Sequence, residues 1–340
     1  MSYCGSAEAI FRARKRELLR IPGVGEKLAA RIGDKAILAS AEAELRYLER
    51  SGITCIFYLD DAYPARLKAY THSPILLFSK GRMELNPGHA IAVVGTRSPT
   101  QYGKSRCEQI VADLVPYHPT IVSGLAYGID VTAHRAAVRH GLPTIGVLGS
   151  GFGSVYPRAH EALARHMMSN GGLLTEFWHQ TGPDRENFPA RNRIVAGLVD
   201  AVVVVESGKS GGSMITVEFA DAFHRDIFAL PGRVGDTASE GCNHLIKTHR
   251  AHLIESGKDI AELLRWADPK SQASGQKRLF EDLTEVEQIL TALITEHSDA
   301  HVDKLAAGSG LPMGELASVL LSLEFKGVVK ALPGKRYTII

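Results

Sequence analysis

Residues Phe188 to Ser213, FPARNRIVAGLVDAVVVVESGKSGGS, carry the densest set of groups able to do chemistry. Arg191 and Arg193 flank Asn192 ahead of an apolar run, Ala201–Val205, that reads as a buried parallel strand. The run ends at Glu206 and opens into Ser207-Gly208-Lys209-Ser210-Gly211-Gly212-Ser213, after which a helix is expected. Glycines let a ligand come close to the backbone, the first N–H groups of a helix point outward, and the helix dipole favours an anion. The chemistry is phosphate binding, and the phosphate is a nucleotide's or a nucleic-acid backbone's.

Similar residues recur behind other apolar runs: Gly95-Thr96-Arg97, then Gly124-Leu125-Ala126-Tyr127-Gly128-Ile129-Asp130 after Ser123, then Gly149-Ser150-Gly151-Phe152-Gly153. Two familiar motifs are excluded. A Walker A loop ending in Gly208-Lys209-Ser210 needs a leading glycine at position 203, which is Val203 inside the strand. The glycines at 149, 151 and 153 lack the spacing of the dinucleotide fingerprint and follow a middle strand, so phosphate binding and plain tight turns both stay open there. An arginine among glycines at a strand end, as Arg97 is, suits an anion. Arg191 and Arg193 stand two apart on a helix that Pro189 helps to open, so one reaches the site and the other packs or pairs.

Asp130 reads as a cap of the helix that follows, and His134 as packing under the sheet edge. Glu176 and Glu206 each end a strand and read as structural rather than as paired acids. No nucleophile, base and acid come together, the histidines show no metal-ligand spacing, and Cys4, Cys55, Cys107 and Cys242 are scattered. No catalytic residue, metal or cofactor is therefore assigned, and the cysteine usage suits a reducing cytoplasm.

Strands are predicted at Ala90–Val94, Thr120–Ser123, Thr144–Leu148, Gly172–Glu176, Ala201–Glu206, Ile227–Leu230 and Ala251–Ile254, with amphipathic helices between them. That alternation gives an α/β fold: a Rossmann-like, doubly wound, mostly parallel sheet. Every unusual loop above follows a strand, and so lies at the carboxyl edge where such sheets bind ligands.

Residues 1–80 read as a mostly helical domain. Within it, Leu18 to Ile32 spell helix, Gly23-Val24-Gly25 turn, helix, which resembles a helix-hairpin-helix (SAM-like) motif. Such turns offer N–H groups to DNA phosphates, and also serve as packing units. Residues 81–266 form the Rossmann-like domain, 267–278 a polar linker, and 279–340 three helices and a hairpin, a winged helix. The third helix of that module carries only Glu315, Glu324 and Lys326 as charges, so a protein partner fits it as well as DNA. Over all 340 residues the net charge is +2, so any basic surface is local; 45% hydrophobic residues suit a globular protein, and no signal peptide or membrane-inserted helix is expected.

Several blocks together resemble the DNA-processing protein A (DprA, or Smf) family. They are Val94-Gly95-Thr96-Arg97, Ser123–Asp130 with Ala133-His134, Tyr156-Pro157, Phe188–Ile194, Lys209-Ser210-Gly211, Ala229-Leu230-Pro231-Gly232 and Gly241–Ile246. Gly153 stands where that family usually has Asp, and His160 where it has Asn.

The resemblance implies a non-enzymatic, cytoplasmic single-stranded DNA-binding protein of natural transformation. It would protect incoming strands, help to load RecA recombinase, and act as a homodimer. It also implies a DNA pocket at Gly95, Thr96, Arg97, Ser123, Gly124, Gly128, Arg191, Arg193, Lys209, Ser210, Gly211, Gly212, Ser213, Asn243 and Lys247. A dimer interface is implied at Cys242, Leu245, Ile246, His249 and Leu253. The rival is a nucleotide phosphoribohydrolase-like enzyme of the same fold, in which Arg97 and Glu218 would be catalytic.

Overall fold

The structure, a computed structural model, describes residues 3–32, 34–266, 283–296, 300–326, 328–332 and 335–339. The chain forms two compact units, Met1–Trp266 and Ala267–Ile340. The linker expected at 267–278 lies outside the described residues.

Apolar runs too short for helices make the central sheet of the first unit. Its strands are β1 (Thr54–Phe57), β2 (Leu76–Arg82), β3 (Ala90–Val94), β4 (Thr120–Ser123), β5 (Thr144–Val147), β6 (Gly171–Thr175), β7 (Ala201–Val204), β8 (Asp226–Ala229) and β9 (His252–Leu253). They lie in the order β1-β2-β6-β5-β4-β3-β7-β8-β9. All neighbours from β6 to β9 are parallel, whereas β2 pairs antiparallel with β6 and with β1. The expected doubly wound sheet is present, and each strand read from the sequence lies within two residues of its observed bounds. The reading of residues 1–80 as mostly helical misses β1 and β2, which extend the sheet.

Burial on both faces explains why the central strands β3 and β7 are apolar throughout. Ala92, Val94, Val122, Val202 and Val204 face one layer with Ile194, Val195, Val217, Ala220 and Leu245. Ile91, Val93, Ile121 and Val203 face the other with Cys107, Ile110, Val111, Ala133, Ala136 and Ile260. The chain leaves β3 for a helix in the second layer (Gln101–Asp113) and leaves β7 for a helix in the first (Gly212–Ala222). Two adjacent strands whose exits diverge leave a crevice at their carboxyl ends.

Ahead of the sheet lie helices Ala7–Arg12, Lys15–Leu18, Glu26–Ile32 and Lys35–Ser51. The Pro22-Gly23 turn between two of them is exposed, with Gly23 at φ 85°. Lys15, one of the cations around that turn, is paired with Glu26 over 2.7 Å.

The second unit has helices Glu285–Glu296, Val302–Ser309 and Met313–Phe325 and an antiparallel sheet, β10 (Ala300–His301), β12 (Arg336–Ile339) and β11 (Val329–Leu332) in that order. This is the winged helix expected of the sequence, built on Leu290, Ile294, Leu305, Leu316, Leu320 and Leu323. Among the described residues no single helix is long and apolar enough to cross a membrane.

Candidate functional site

The crevice between β3 and β7 is a cleft of about 670 Å³. Gly95, Thr96, Arg97, Gly124, Arg191, Gly211, Gly212 and Ser213, all singled out in the sequence, line it. Its floor is held by backbone bonds across the two strand ends, Thr96 N–H to the Glu206 carbonyl (2.7 Å) and Val205 N–H to the Val94 carbonyl (3.1 Å).

Arg191 lies beneath the cleft, 3% exposed. Its Nη1 donates to the Gly124 carbonyl over 2.6 Å and also to the Val147 carbonyl, tying the ends of β4 and β5 together. Gly124 is a glycine because a Cβ there would stand 2.4 Å from the guanidinium. Asp130 does not cap its helix as the sequence suggested: it sits inside the helix Ile129–Arg139 and accepts the Gly124 N–H over 3.0 Å. Burial raises the Asp130 carboxyl above its usual range, against the opposing pull of Arg191 and of backbone N–H groups. Burial likewise brings the Arg191 guanidinium down to about 10, with Asp130 opposing that shift and Arg97 adding to it. Gly128, at φ 83°, precedes that helix and brings it against the first loop, where the Ile129 N–H donates to the Thr96 carbonyl over 3.2 Å.

The upper wall is cationic and aromatic. Arg97 is exposed, has no ion-pair partner among the described residues, and lies with its guanidinium carbon 5.7 Å from the Phe188 ring centroid. Tyr156 stands 5.8 Å from the same ring, and Arg185 lines the cleft beside them. Phe188 packs against Gly149, where a Cβ would stand 2.8 Å from the ring. The glycine at 149 is thus required by the close approach of the Phe188 ring. The opposite wall is Ser207, Gly208 and Gly211 of the glycine turn and the start of the helix Gly212–Ala222, whose N-terminus no side chain among the described residues caps. The first N–H groups of such a helix have no intrahelical partners and favour an anion.

Other expected site residues lie elsewhere. Arg193 is taken by Glu176, Nη2 to Oε2 over 2.5 Å, so of the two arginines one lies under the site and one pairs. Glu206 accepts the Thr100 N–H over 2.9 Å and its hydroxyl over 2.5 Å, fixing the start of the helix Gln101–Asp113. The two glutamates thus serve different partners. Ser123 donates to the Val93 carbonyl over 2.7 Å. Lys209 and Ser210 are exposed in the glycine turn but outside the cleft lining. Asn243 is engaged at both ends of its amide with Gly232, each over 3.1 Å, and neither it nor the exposed Lys247 lines the cleft. Glu218 is exposed later in the helix Gly212–Ala222 and does not line the cleft with Arg97, so the hydrolase pair is not assembled there.

Two residues of the implied dimer interface need correction. Cys242 and Leu245 are 0% and 1% exposed and belong to the chain's own core, because they lie on the apolar stripe of the helix Glu240–Lys247 that packs on the sheet. Ile246, His249 and Leu253 reach the surface, and Leu253 lies on the edge strand β9.

His134 is buried as expected, its Nδ1 2.7 Å from the Thr144 hydroxyl. His160 places its Nδ1 2.7 Å from the Leu125 carbonyl. Gly153 has a reason in the fold: a Cβ there would meet the His179 carbonyl at 2.5 Å. His179 is itself held by Glu44 and stacked on Tyr47 at 4.0 Å, both from the helix Lys35–Ser51. Among the described residues no cluster of three or more His, Cys, Asp or Glu could hold a metal ion.

Sequence reasoning passed over Phe188, Tyr156 and Arg185 as site residues. The signal was the aromatic that opens the Phe-Pro-Ala-Arg-Asn-Arg run, but only the fold brings it to Arg97.

Residues 54–265 match the family model of DNA recombination-mediator protein A, and residues 276–335 match that of the DprA winged helix domain. The chain is similar to the putative DNA processing protein DprA of Mycobacterium tuberculosis, 34% identical over 97% of this chain and 87% of that one. It is also similar to the DNA processing protein DprA of Streptococcus pneumoniae, 42% identical over 59% and 71% of the two chains. The solved structure of the Streptococcus pneumoniae protein aligns with a TM-score of 0.63 at 36% identity, over 74% of this chain and 86% of that one. That of DNA processing protein A from Helicobacter pylori, reported for its single-stranded DNA binding mode, aligns with a TM-score of 0.57 at 26% identity over 62% and 95%.

Proposed function

We propose that this chain, which belongs to the DNA recombination-mediator protein A family, binds single-stranded DNA in the cleft at the carboxyl edge of its sheet. One observation carries the reading: an arginine and a helix N-terminus that, among the described residues, have no ion-pair partner and no side-chain cap share one cleft with an aromatic ring. A phosphate suits the arginine and the helix end, and a base suits the ring. Stacking and charge give binding that tolerates any sequence. The solved relative from Helicobacter pylori with a single-stranded DNA binding mode supports the choice of ligand.

In this reading Arg97, Arg185 and the Lys209–Ser213 turn meet phosphates, Phe188 and Tyr156 meet bases, and Arg191 holds the floor. The domain division read from the sequence is kept with one boundary moved: the Rossmann-like part takes in β1 and β2 and so begins near residue 54, running to 266, ahead of a linker and the winged helix. The protein works in the cytoplasm, protects incoming strands in natural transformation and helps to load RecA. The family's description as a recombination mediator supports that last step. It acts as a homodimer, for which the two-residue edge strand β9 with its exposed Leu253 offers unpaired backbone and apolar surface. No reaction is assigned to it.

The test is a titration of the full chain with a fluorescent oligothymidylate and with a duplex of equal length. The single strand should bind more tightly. Equal affinity for the duplex, or release of base from nucleoside monophosphates by the protein, would overturn the reading, the second in favour of the hydrolase.

A further inference from the structure

Arg97 lines a second groove as well as the cleft. This groove, about 510 Å³, lies between the helices Gln101–Asp113 and Ile129–Arg139 and the segment Tyr127–Gly128. Lys104 and Arg135 rise from the two helices, both exposed and both without an ion-pair partner among the described residues. The one carboxylate among the lining residues, Glu108, is already paired with Arg139 over 3.3 Å. Three unpaired cations with a neutralised acid make the groove locally basic in a chain whose net charge is only +2. Locally concentrated charge of this kind recognises a polyanion.

The groove also carries a ring. Tyr127 is 46% exposed, and it rests edge-on against His160, with centroids 4.9 Å apart. His160 is fixed by its contact with the Leu125 carbonyl, and Leu125 takes a left-handed φ of 57° without being glycine. A kinked backbone and a buried imidazole therefore hold a large aromatic ring at the surface beside cations. A platform of that make stacks a base.

We propose that the groove is a second nucleotide subsite, and that a single strand leaving the cleft passes over Arg97 into it, with phosphates on Lys104 and Arg135 and a base on Tyr127. The proposal rests on the cleft being a single-strand site. Its own content is that the path is longer than the cleft and turns at Arg97.

The test compares a short oligothymidylate of about four nucleotides with one of about twelve, by anisotropy on the full chain across a salt series. The double variant Lys104→Ala/Arg135→Ala should bind the short strand as the wild type does. It should lose about fivefold or more on the long strand, and its salt slope there should be flatter by about 1.4, for two lost phosphates. Tyr127→Ala should show a similar length-dependent loss, which Tyr127→Phe restores. If the wild type binds the short strand and the groove variants bind both lengths as it does, the second subsite is wrong while the cleft stands. If the wild type binds neither length, both fall.

Discussion

The guanidinium of Arg191 sits directly under Gly124, donating to its carbonyl oxygen over 2.6 Å. Asp130 takes the N–H of the same glycine over 3.0 Å. The loop that floors the cleft is thus gripped at both polar ends of one residue by a buried cation and a buried acid. An arginine so buried at the base of the lining shapes the binding surface from below.

Replacing Arg191 by alanine leaves Asp130 buried without its opposing charge, and we expect a loss of about 3–5 kcal/mol in urea unfolding. Lysine should not rescue it, because an ammonium cannot reproduce the planar guanidinium fork. A variant that keeps full stability and loses only DNA affinity would instead make Arg191 a direct contact.

Phe188→Ala should weaken single-strand binding by about 1–3 kcal/mol, and by similar amounts for oligothymidylate and oligoadenylate, since every base has a stacking face. Phe188→Tyr should retain most of the affinity. A loss confined to one base would show recognition of base edges rather than stacking.

The sheet was legible because β3 and β7 are short runs buried on both faces, so neither face adds polar residues to blur the pattern. Strands β1 and β2 were not, since they follow a long helix and carry mixed burial at the sheet margin. The glycine loops and Arg97 could be read because a phosphate site needs those residue types next to a strand end. Arg193, Asn243 and Leu245 could not be sorted from true surface groups, because pairing with Glu176, bonding to Gly232 and burial in the core are all long-range facts. Phe188 meets Arg97 across about ninety residues of chain, a distance no local pattern spans.

Acid should destabilise the first unit through His134. Burial above all, then the nearby charges of Arg191 and His160, pulls its imidazole from 6.5 down to about 3. The unfolded chain takes up that proton below about pH 6.5 while the folded chain refuses it until about 3, so stability is kept above 6.5 and falls as pH drops through this window. One such group contributes a slope of at most about 1.4 kcal/mol per pH unit. Urea unfolding of His134→Gln from pH 7 to 4 should show a correspondingly shallower fall than the wild type; identical slopes would remove His134 as the cause.

Charge at the proposed dimer surface should act differently at two neighbouring leucines. Leu245→Glu places a carboxylate in the core and should prevent folding, whereas Leu253→Glu should fold and shift the mass seen by light scattering from dimer to monomer. A Leu253→Glu protein that remains dimeric would place the interface elsewhere.

The most direct test of the cleft as a single-strand site is the salt dependence of oligothymidylate binding by the wild type and by Arg97→Ala. We expect log K to fall linearly with log salt for the wild type. The Arg97→Ala line should be weaker and flatter by about 0.7, the share of one phosphate on a single strand. Unchanged affinity and slope in an Arg97→Ala protein of undiminished melting temperature would contradict the assignment.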